Sequence, residues 1–366
     1  MIRRASITPG QPWLDTNGNR IQAHAGSMHY EDGTYYWYGE DKSHSGPGTG
    51  IWHWGVRCYS STDLYNWDDR GTIIAPDLDD SDSALHPGQL TDRPHIIHNP
   101  RTGKYVCWLK TMSRSNVQTS TVLTAASILG PYAVVRRDVR PLSMYAGDFD
   151  LVVDPTDGKG YYYFERVHSE LICADLTDDF TDVTGYYSTH FPHPGPPAVR
   201  EAPAYFSRRG KHYLVTSGTT AYFPNESELA VAASYHGPWT ILGDPHPDDT
   251  HHTSFRSQIS CVFRHPTIAD LHIAMADRWL PELSPEESAV SDVFAATMTG
   301  DRNANVSDAT AHHLYGDILE TNTALSEYVW LPFRWDGDMG YLDWRSEWTV
   351  EEFAAPSVDR AGAGAR

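Results

Sequence analysis

A chain of 366 residues with 40% hydrophobic and 12% aromatic side chains holds too much apolar material to remain disordered. Its 48 acidic against 28 basic residues give a net charge of −20, and no Lys/Arg cluster is longer than a pair. Nucleic acid and anionic membranes are therefore poor partners, whereas a neutral sugar is compatible with this surface.

Taken in chain order, the N-terminal segment MIRRASITPGQPWLD (1–15) has no apolar leader pattern, and no later stretch is long enough to span a membrane. As written, the chain reads as soluble and cytoplasmic, or as secreted if a leader has been trimmed. One unit then recurs: a turn containing Gly, a tyrosine-rich strand, then a second strand ending in a turn. The copies are DGTYYWYGE (32–40), TGKYVCWLK (102–110), DGKGYYYFER (157–166), RGKHYLVTSG (209–218) and a degenerate ADLHIAMADRW (269–279). Following strands include VRCYSSTDLYNWDDRG (56–71), TVLTAASILGPYAVV (121–135) and ELAVAASYHGPWTIL (228–242). Each alternates apolar and polar residues with the period of two expected of half-buried strands, and none could bury its apolar face alone. All-strand repeats of this length predict propeller blades, and five copies predict an all-β, five-bladed β-propeller over residues 1–354.

Two regions depart from the pattern. Ser284-Pro285-Glu286-Glu287 is a capping box with Pro at the first helical position, and Ser307 precedes DATAHHLYGDILE, so a helical insertion is expected over about 281–320, within the last blade. The tail APSVDRAGAGAR (355–366) has no periodicity and reads as disordered. Cys58, Cys107, Cys173 and Cys261 are far apart in apolar stretches, which predicts buried free thiols rather than a metal knot or disulfide framework.

A propeller gathers the starts of its inner strands around one axis, so polar residues far apart in sequence can meet there. Three blade entrances carry carboxylates: Thr91-Asp92-Arg93-Pro94, Gly147-Asp148-Phe149-Asp150 and Arg200-Glu201-Ala202-Pro203. An Asp near a turn often caps only the backbone. Three acids at equivalent blade positions also match glycoside hydrolysis, which needs one protonated group and one that activates water or attacks. A third acid nearby would raise the proton affinity of the first.

The runs WLDTNGNRIQAHAGSMHYEDGTYYWYGED (13–41), DRPHIIHNPRTGKYVCW (92–108), GDFDLVVDPTDGKGYYYF (147–164), REAPAYFSRRGKHYLVTSG (200–218), SFRSQISCVF (254–263), ADRW (276–279) and YVWLPFRWDGD (328–338) resemble, in order and over nearly the whole chain, glycoside hydrolase family 43 and within it the exo-β-1,3-galactanases. The resemblance implies that Glu201 is the general acid and that Asp148 tunes and orients it. The family's usual blade-one base has no carboxylate counterpart in Ile21-Gln22-Ala23-His24-Ala25-Gly26, which is typical of the galactanase group. Gln258 matches a glutamine proposed there to hold the attacking water. Glu40 and Asp92 match positions that grip the terminal sugar; the latter is usually Glu. Gln22 and His24, at the blade-one position, are expected to contact substrate.

The implied function is an inverting exo-hydrolase releasing galactose from the non-reducing end of β-1,3-galactan. The alternatives are an exo-acting α-L-arabinofuranosidase or β-xylosidase of the same family, or a sugar-binding propeller without catalysis. An oligo- or polysaccharide is the partner implied. No cofactor is, and the histidine spacings, His251-His252 included, match no zinc motif. Trp52 and Trp54 are candidates for stacking on a sugar or for packing. The stretch between Trp279 and Tyr328 is longer than the family pattern, which leaves a lid over the funnel, an oligomer contact, or neither as its role.

Overall fold

The computed structural model describes residues 3–113, 117–298 and 305–354. Blade one is formed by β1 (His24–Glu31), β2 (Thr34–Glu40), β3 (Val56–Ser61) and β4 (Asp68–Ile74). Blade two holds β5 (Leu90–Asn99), β6 (Lys104–Met112), β7 (Gln118–Ala125) and β8 (Ala133–Val139). Blade three holds β9 (Ala146–Val153), β10 (Gly160–Arg166), β11 (Glu170–Leu176) and β12 (Val183–His190). Blade four holds β13 (Glu201–Arg208), β14 (Lys211–Ser217), β15 (Glu228–Ala232) and β16 (Thr240–Gly243). Blade five has β17 (Gln258–Arg264), β18 (His272–Arg278) and β19 (Glu327–Pro332), followed by a separate hairpin of β20 (Arg334–Asp336) and β21 (Met339–Tyr341). Every blade is an antiparallel meander in chain order.

The strands β1, β5, β9, β13 and β17 lie at one edge of their sheets and contact one another in a closed ring, which makes them the innermost strands. The tyrosine-rich copies prominent in the sequence are therefore the second strands, β2, β6, β10, β14 and β18, and not the inner ones. The reason is space. Near the axis the blades crowd together; farther out they diverge, and bulky rings fill the widening wedges. Tyr38, Cys58, Ile96, Tyr105 and Cys107 fill the wedge between blades one and two, and Trp108, Phe149, Tyr162 and Phe164 that between blades two and three. All four cysteines are buried and free.

Ring closure uses both ends of the chain. The Gly10 N–H donates to the Tyr328 carbonyl at 2.7 Å, and Gln11 bridges Tyr328 on the outer side of β19, the place a fourth strand would take. Ile7 bridges Trp348. Trp13 then packs 5.8 Å from Trp37 and 4.9 Å from Trp330, in a cluster that also holds Trp67 and Trp348. Burying one such indole removes about 200 Å² from water, worth about 5 kcal/mol before ordering entropy is subtracted.

Arg278 of β18 pairs with Glu327 of β19, so the whole of 279–326 leaves and returns at one end of blade five. It contains α1 (Pro285–Ser288), α2 (Ser291–Met298) and α3 (Asp308–Tyr315), then 3₁₀ turns at Ile318–Glu320 and Thr323–Leu325. The expected insertion is present and runs a few residues beyond 320. Both expected caps form: Ser284 Oγ accepts from Glu287 N at 3.2 Å while Glu287 Oε2 accepts from Ser284 N at 3.0 Å, and Ser307 Oγ accepts from Thr310 N at 3.1 Å. The tail 355–366 lies outside the described residues. Among those described, no helix is long and apolar enough to cross a membrane.

Candidate active site

The mouth of the funnel is built by one device used repeatedly. In four blades a residue at or near the start of the inner strand pairs with one near the end of the second strand: His24 with Glu40, Asp92 with Lys110, Glu201 with Ser217 and Gln258 with Asp277. Just after the mouth residue the pairing slips by a bulge, between His24 and Ser27, Asp92 and His95, and Glu201 and Ala204. The residue inside each bulge is left-handed: Ala25 at φ 46°, Arg93 at 51° and Ala202 at 49°. A non-glycine residue there is strained by about 1–2 kcal/mol, and such bulges re-aim side chains beside functional sites.

These turns open on a pocket of about 100 Å³, lined among others by Glu40, Asp92, Arg93, Lys110, Asp148, Glu201 and Gln258. Drug-sized pockets run to roughly 300–1,000 Å³, so this space suits one small polar unit. Trp52, Met112, Tyr222, Trp279 and Ile318 supply apolar wall, with Tyr222 stacked on Trp52 at 5.9 Å. Trp52 thus faces the pocket and donates its indole N–H to Asp92 Oδ1 at 2.5 Å, whereas Trp54 stacks on His44.

Arg93 is the hub. Its backbone N–H donates to Glu40 Oε1 at 2.9 Å, its Nε meets Asp148 Oδ2 at 2.8 Å, and its Nη2 donates to Gln258 Oε1 at 2.7 Å. Lys110 Nζ lies 2.8 Å from Asp148 Oδ1 and 3.6 Å from Asp92 Oδ2. Burial opposes the charge on Asp148, but Arg93 and Lys110 outweigh it and hold its carboxyl down at about 2. Glu201 has no such cations to itself. Burial raises its proton affinity, and the charges of Asp148 and Glu165 raise it further, so its carboxyl stands well above the usual range. Glu40, buried and beside Asp92 but paired with Lys42 at 2.7 Å, is pushed up to about 7, with burial the largest cause. The site therefore couples a fixed anion to a proton-holding acid, the arrangement by which neighbouring carboxyls divide acid and base roles.

Gln258 lies beside Glu201 rather than across the pocket from it. Its Nε2 donates to Glu201 Oε1 at 3.2 Å and to Ser217 Oγ at 2.9 Å, while Arg93 occupies its Oε1. A water-holding group opposite the acid would stand roughly 6.5–9.5 Å away. The turn ahead of Gln258 is strained: Ser254, Phe255 and Arg256 are all left-handed, at φ 52°, 55° and 59°. Asp249 Oδ2 pins it, accepting from Thr253 N at 2.7 Å and Phe255 N at 2.9 Å.

The structure corrects two sequence assignments. His24 is fully buried and Gln22 nearly so, and neither lines the pocket. The His24 ring meets Asp277 Oδ1 at 2.9 Å and Gln22 Oε1 at 3.1 Å and stacks on Tyr328, while Gln22 Nε2 donates to the Ala324 carbonyl. The blade-one bulge turns this strand start into the seam with blade five, so both residues staple the ring closed. Glu226, Asp244 and His252 converge on the surface, away from this pocket, with one ligand atom each within 4.8 Å.

Sequence reasoning missed Arg93, Lys110, Glu165, Ser217 and Tyr222. A signal existed: Glu40, Lys110, Glu165, Ser217 and Asp277 lie within the last three residues of the second strands, so each copy of the repeat has a polar residue near its mouth end. Gly147 is explained by Glu165, whose Oε2 lies 2.1 Å from where a Cβ would stand.

The model of the glycosyl hydrolases family 43 matches residues 21–257. The chain belongs to this family. Solved structures similar to it include a family 43 β-1,3-galactosidase at 27% identity and TM-score 0.76, where 96% of this chain aligns with 65% of that one. A second family 43 β-1,3-galactosidase, in complex with galactodeoxynojirimycin, is also 27% identical, with TM-score 0.74, covering 94% of this chain and 100% of that one. The exo-β-1,3-galactanase of Phanerochaete chrysosporium with β-1,3-galactotriose shares the fold at 24% identity and TM-score 0.74, over 94% of this chain and 68% of that one. A comparison with curated protein sequences gives no match.

Proposed function

We propose that this family 43 protein is an inverting exo-hydrolase that releases single galactose units from the non-reducing end of β-1,3-galactan. The observation that carries the reading is the pairing of Glu201, its proton affinity raised in a pocket, with Asp148, kept ionised by Arg93 and Lys110. Glu201 protonates the leaving oxygen. Asp148 is its positioning and tuning partner: a fixed negative charge that favours the acid's protonated form. The small size of the pocket supports removal of one terminal unit at a time. The sugar assignment is supported by two relatives of 27% identity described as β-1,3-galactosidases, one of them with galactodeoxynojirimycin.

Water activation falls to the carboxylates on the opposite side. An amide has no useful basicity near pH 7. Gln258 Oε1 accepts from Arg93, which favours the plain amide form and makes Gln258 the residue that orients Glu201. Both Glu40 oxygens are engaged, by Arg93 N and Lys42. Among the described residues Asp92 Oδ2 meets only Lys110, at 3.6 Å, so we assign to it the lone pair that holds the water, with Glu40 gripping the sugar.

The test is galactose release from linear β-1,3-galactotriose with NMR following the anomer, beside aryl arabinofuranoside and xyloside. Galactose appearing first as the α-anomer, and lost in a folded Glu201→Gln protein, is the expected outcome. Pentose release without galactose would overturn the sugar assignment. Binding without turnover of any of the three would overturn the catalytic one.

A further inference from the structure

The insertion between β18 and β19 does more than decorate the rim. Its 3₁₀ turn Ile318–Glu320 carries Ile318 into the pocket lining, and Leu319 is buried against Trp52 and Leu90, with Ile318, Met112 and Tyr222 packed on the same cluster. That cluster joins blade five's insertion to blades one and two. The turn is clamped at several points. Glu320 Oε2 accepts from Gly48 N of blade one at 3.1 Å, the Ala324 carbonyl accepts from Gln22, and Ser326 Oγ donates to the Trp279 carbonyl at 3.0 Å. At its base, His313 lies 2.7 Å from Glu282 and 3.3 Å from Thr321 Oγ1. A segment held this way is a wall rather than a loose flap.

Its position fixes what the wall can do. Glu201 and Gln258, the groups at the bond to be cut, come from blades four and five, and Asp148 from blade three. Ile318 lines the pocket beside Trp52 and Met112 of blades one and two, and packs on the same cluster as Tyr222 of the loop after β14. A chain whose leaving group sits at Glu201 therefore directs its terminal ring toward Ile318. We propose that the Ile318–Glu320 turn is a specificity element that ends the pocket and rejects a terminal galactose bearing a substituent on that side. The inference rests on the galactanase reading above. An apolar side chain at van der Waals distance selects by exclusion: it offers an added group neither space nor a hydrogen bond.

The experiment compares the parent protein with Ile318→Ala and, as a second route that leaves the lining intact, Glu320→Ala, which releases the clamp on Gly48. The substrates are linear β-1,3-galactotriose and the same trisaccharide methylated on its terminal galactose at O3, O4 or O6. The expected result is that kcat/KM for at least one methylated substrate rises relative to the linear one by about tenfold in both variants, the low end of the discrimination one methylene commands in a pocket. The linear trisaccharide should still be turned over. A parent protein that releases no galactose from the linear trisaccharide would overturn the galactanase reading and this inference together. A parent that does, with the ratio unmoved across the panel in both variants, would overturn this inference alone.

Discussion

Replacing Asp148 by Asn tests the electrostatic core of the site. The change keeps the shape of the side chain and removes its charge. In the native pocket Arg93 and Lys110 hold this carboxyl at about 2 against an ordinary 3.8. At about 1.36 kcal/mol per tenfold, that preference for the charged form is about 2 kcal/mol. Two consequences follow for Glu201. It loses the like charge that helps keep its proton on, and the two cations, no longer neutralised, become free to favour its ionised form. Both act in one direction. The alkaline limb of kcat/KM, set by deprotonation of Glu201, should move to lower pH by roughly 1–3 units, the range a single charge partner commands in a buried site. The assay is a pH profile of galactose release from β-1,3-galactotriose, with circular dichroism to show that the fold survives. A variant with reduced activity but an unmoved alkaline limb would refute the reasoning, because Asp148 would then position the acid without tuning it.

Other changes have defined outcomes. Glu201→Gln should lower kcat on galactotriose by about 10²–10⁴-fold, with a smaller loss on an aryl galactoside whose leaving group needs no proton. The same substitution should alter stability against pH. Glu201 binds its proton more tightly folded than unfolded, so above about 4.5 the native protein loses stability as pH rises, and that slope should flatten in the variant. Asp249→Ala removes the acceptor that pins the left-handed turn before Gln258; it should lower kcat more than it raises KM, measured on galactotriose, because it disturbs the orientation of the acid rather than the grip on the sugar. Trp13→Ala should reduce unfolding free energy by about 3–5 kcal/mol in urea titrations, since it empties the closure between blades five and one.

The repeat of turn, aromatic strand and second strand was legible because period-two alternation and glycine turns are local properties of the chain. So were the caps at Ser284 and Ser307, whose hydrogen bonds span three residues. Cys58, Cys107, Cys173 and Cys261 could be read as buried thiols from their apolar surroundings. Glu201, Asp148, Asp92 and Glu40 could be picked out because each stands at the end of a recognisable strand unit, and all four line one pocket. Arg93 and Lys110 could not be weighted in the same way. Their importance lies in which carboxylate each one meets across a bulge, and nothing local in sequence states that Arg93 reaches both Asp148 and Gln258.

The sequence by itself therefore determined the kind of element, the number of blades and the four acids that line the pocket, because these depend on patterns a few residues long. Tertiary structure alone decided which strand is innermost, since that depends on how much side-chain volume each radius can hold. It also decided that His24 and Gln22 staple a seam instead of meeting substrate, because a bulge at Ala25 sets which way that strand start faces. The insertion shows the same division. Two of its helices were written in their caps, but its place over Trp52, Met112 and Tyr222 follows from contacts between segments far apart in the chain, where packing and not local preference selects the geometry.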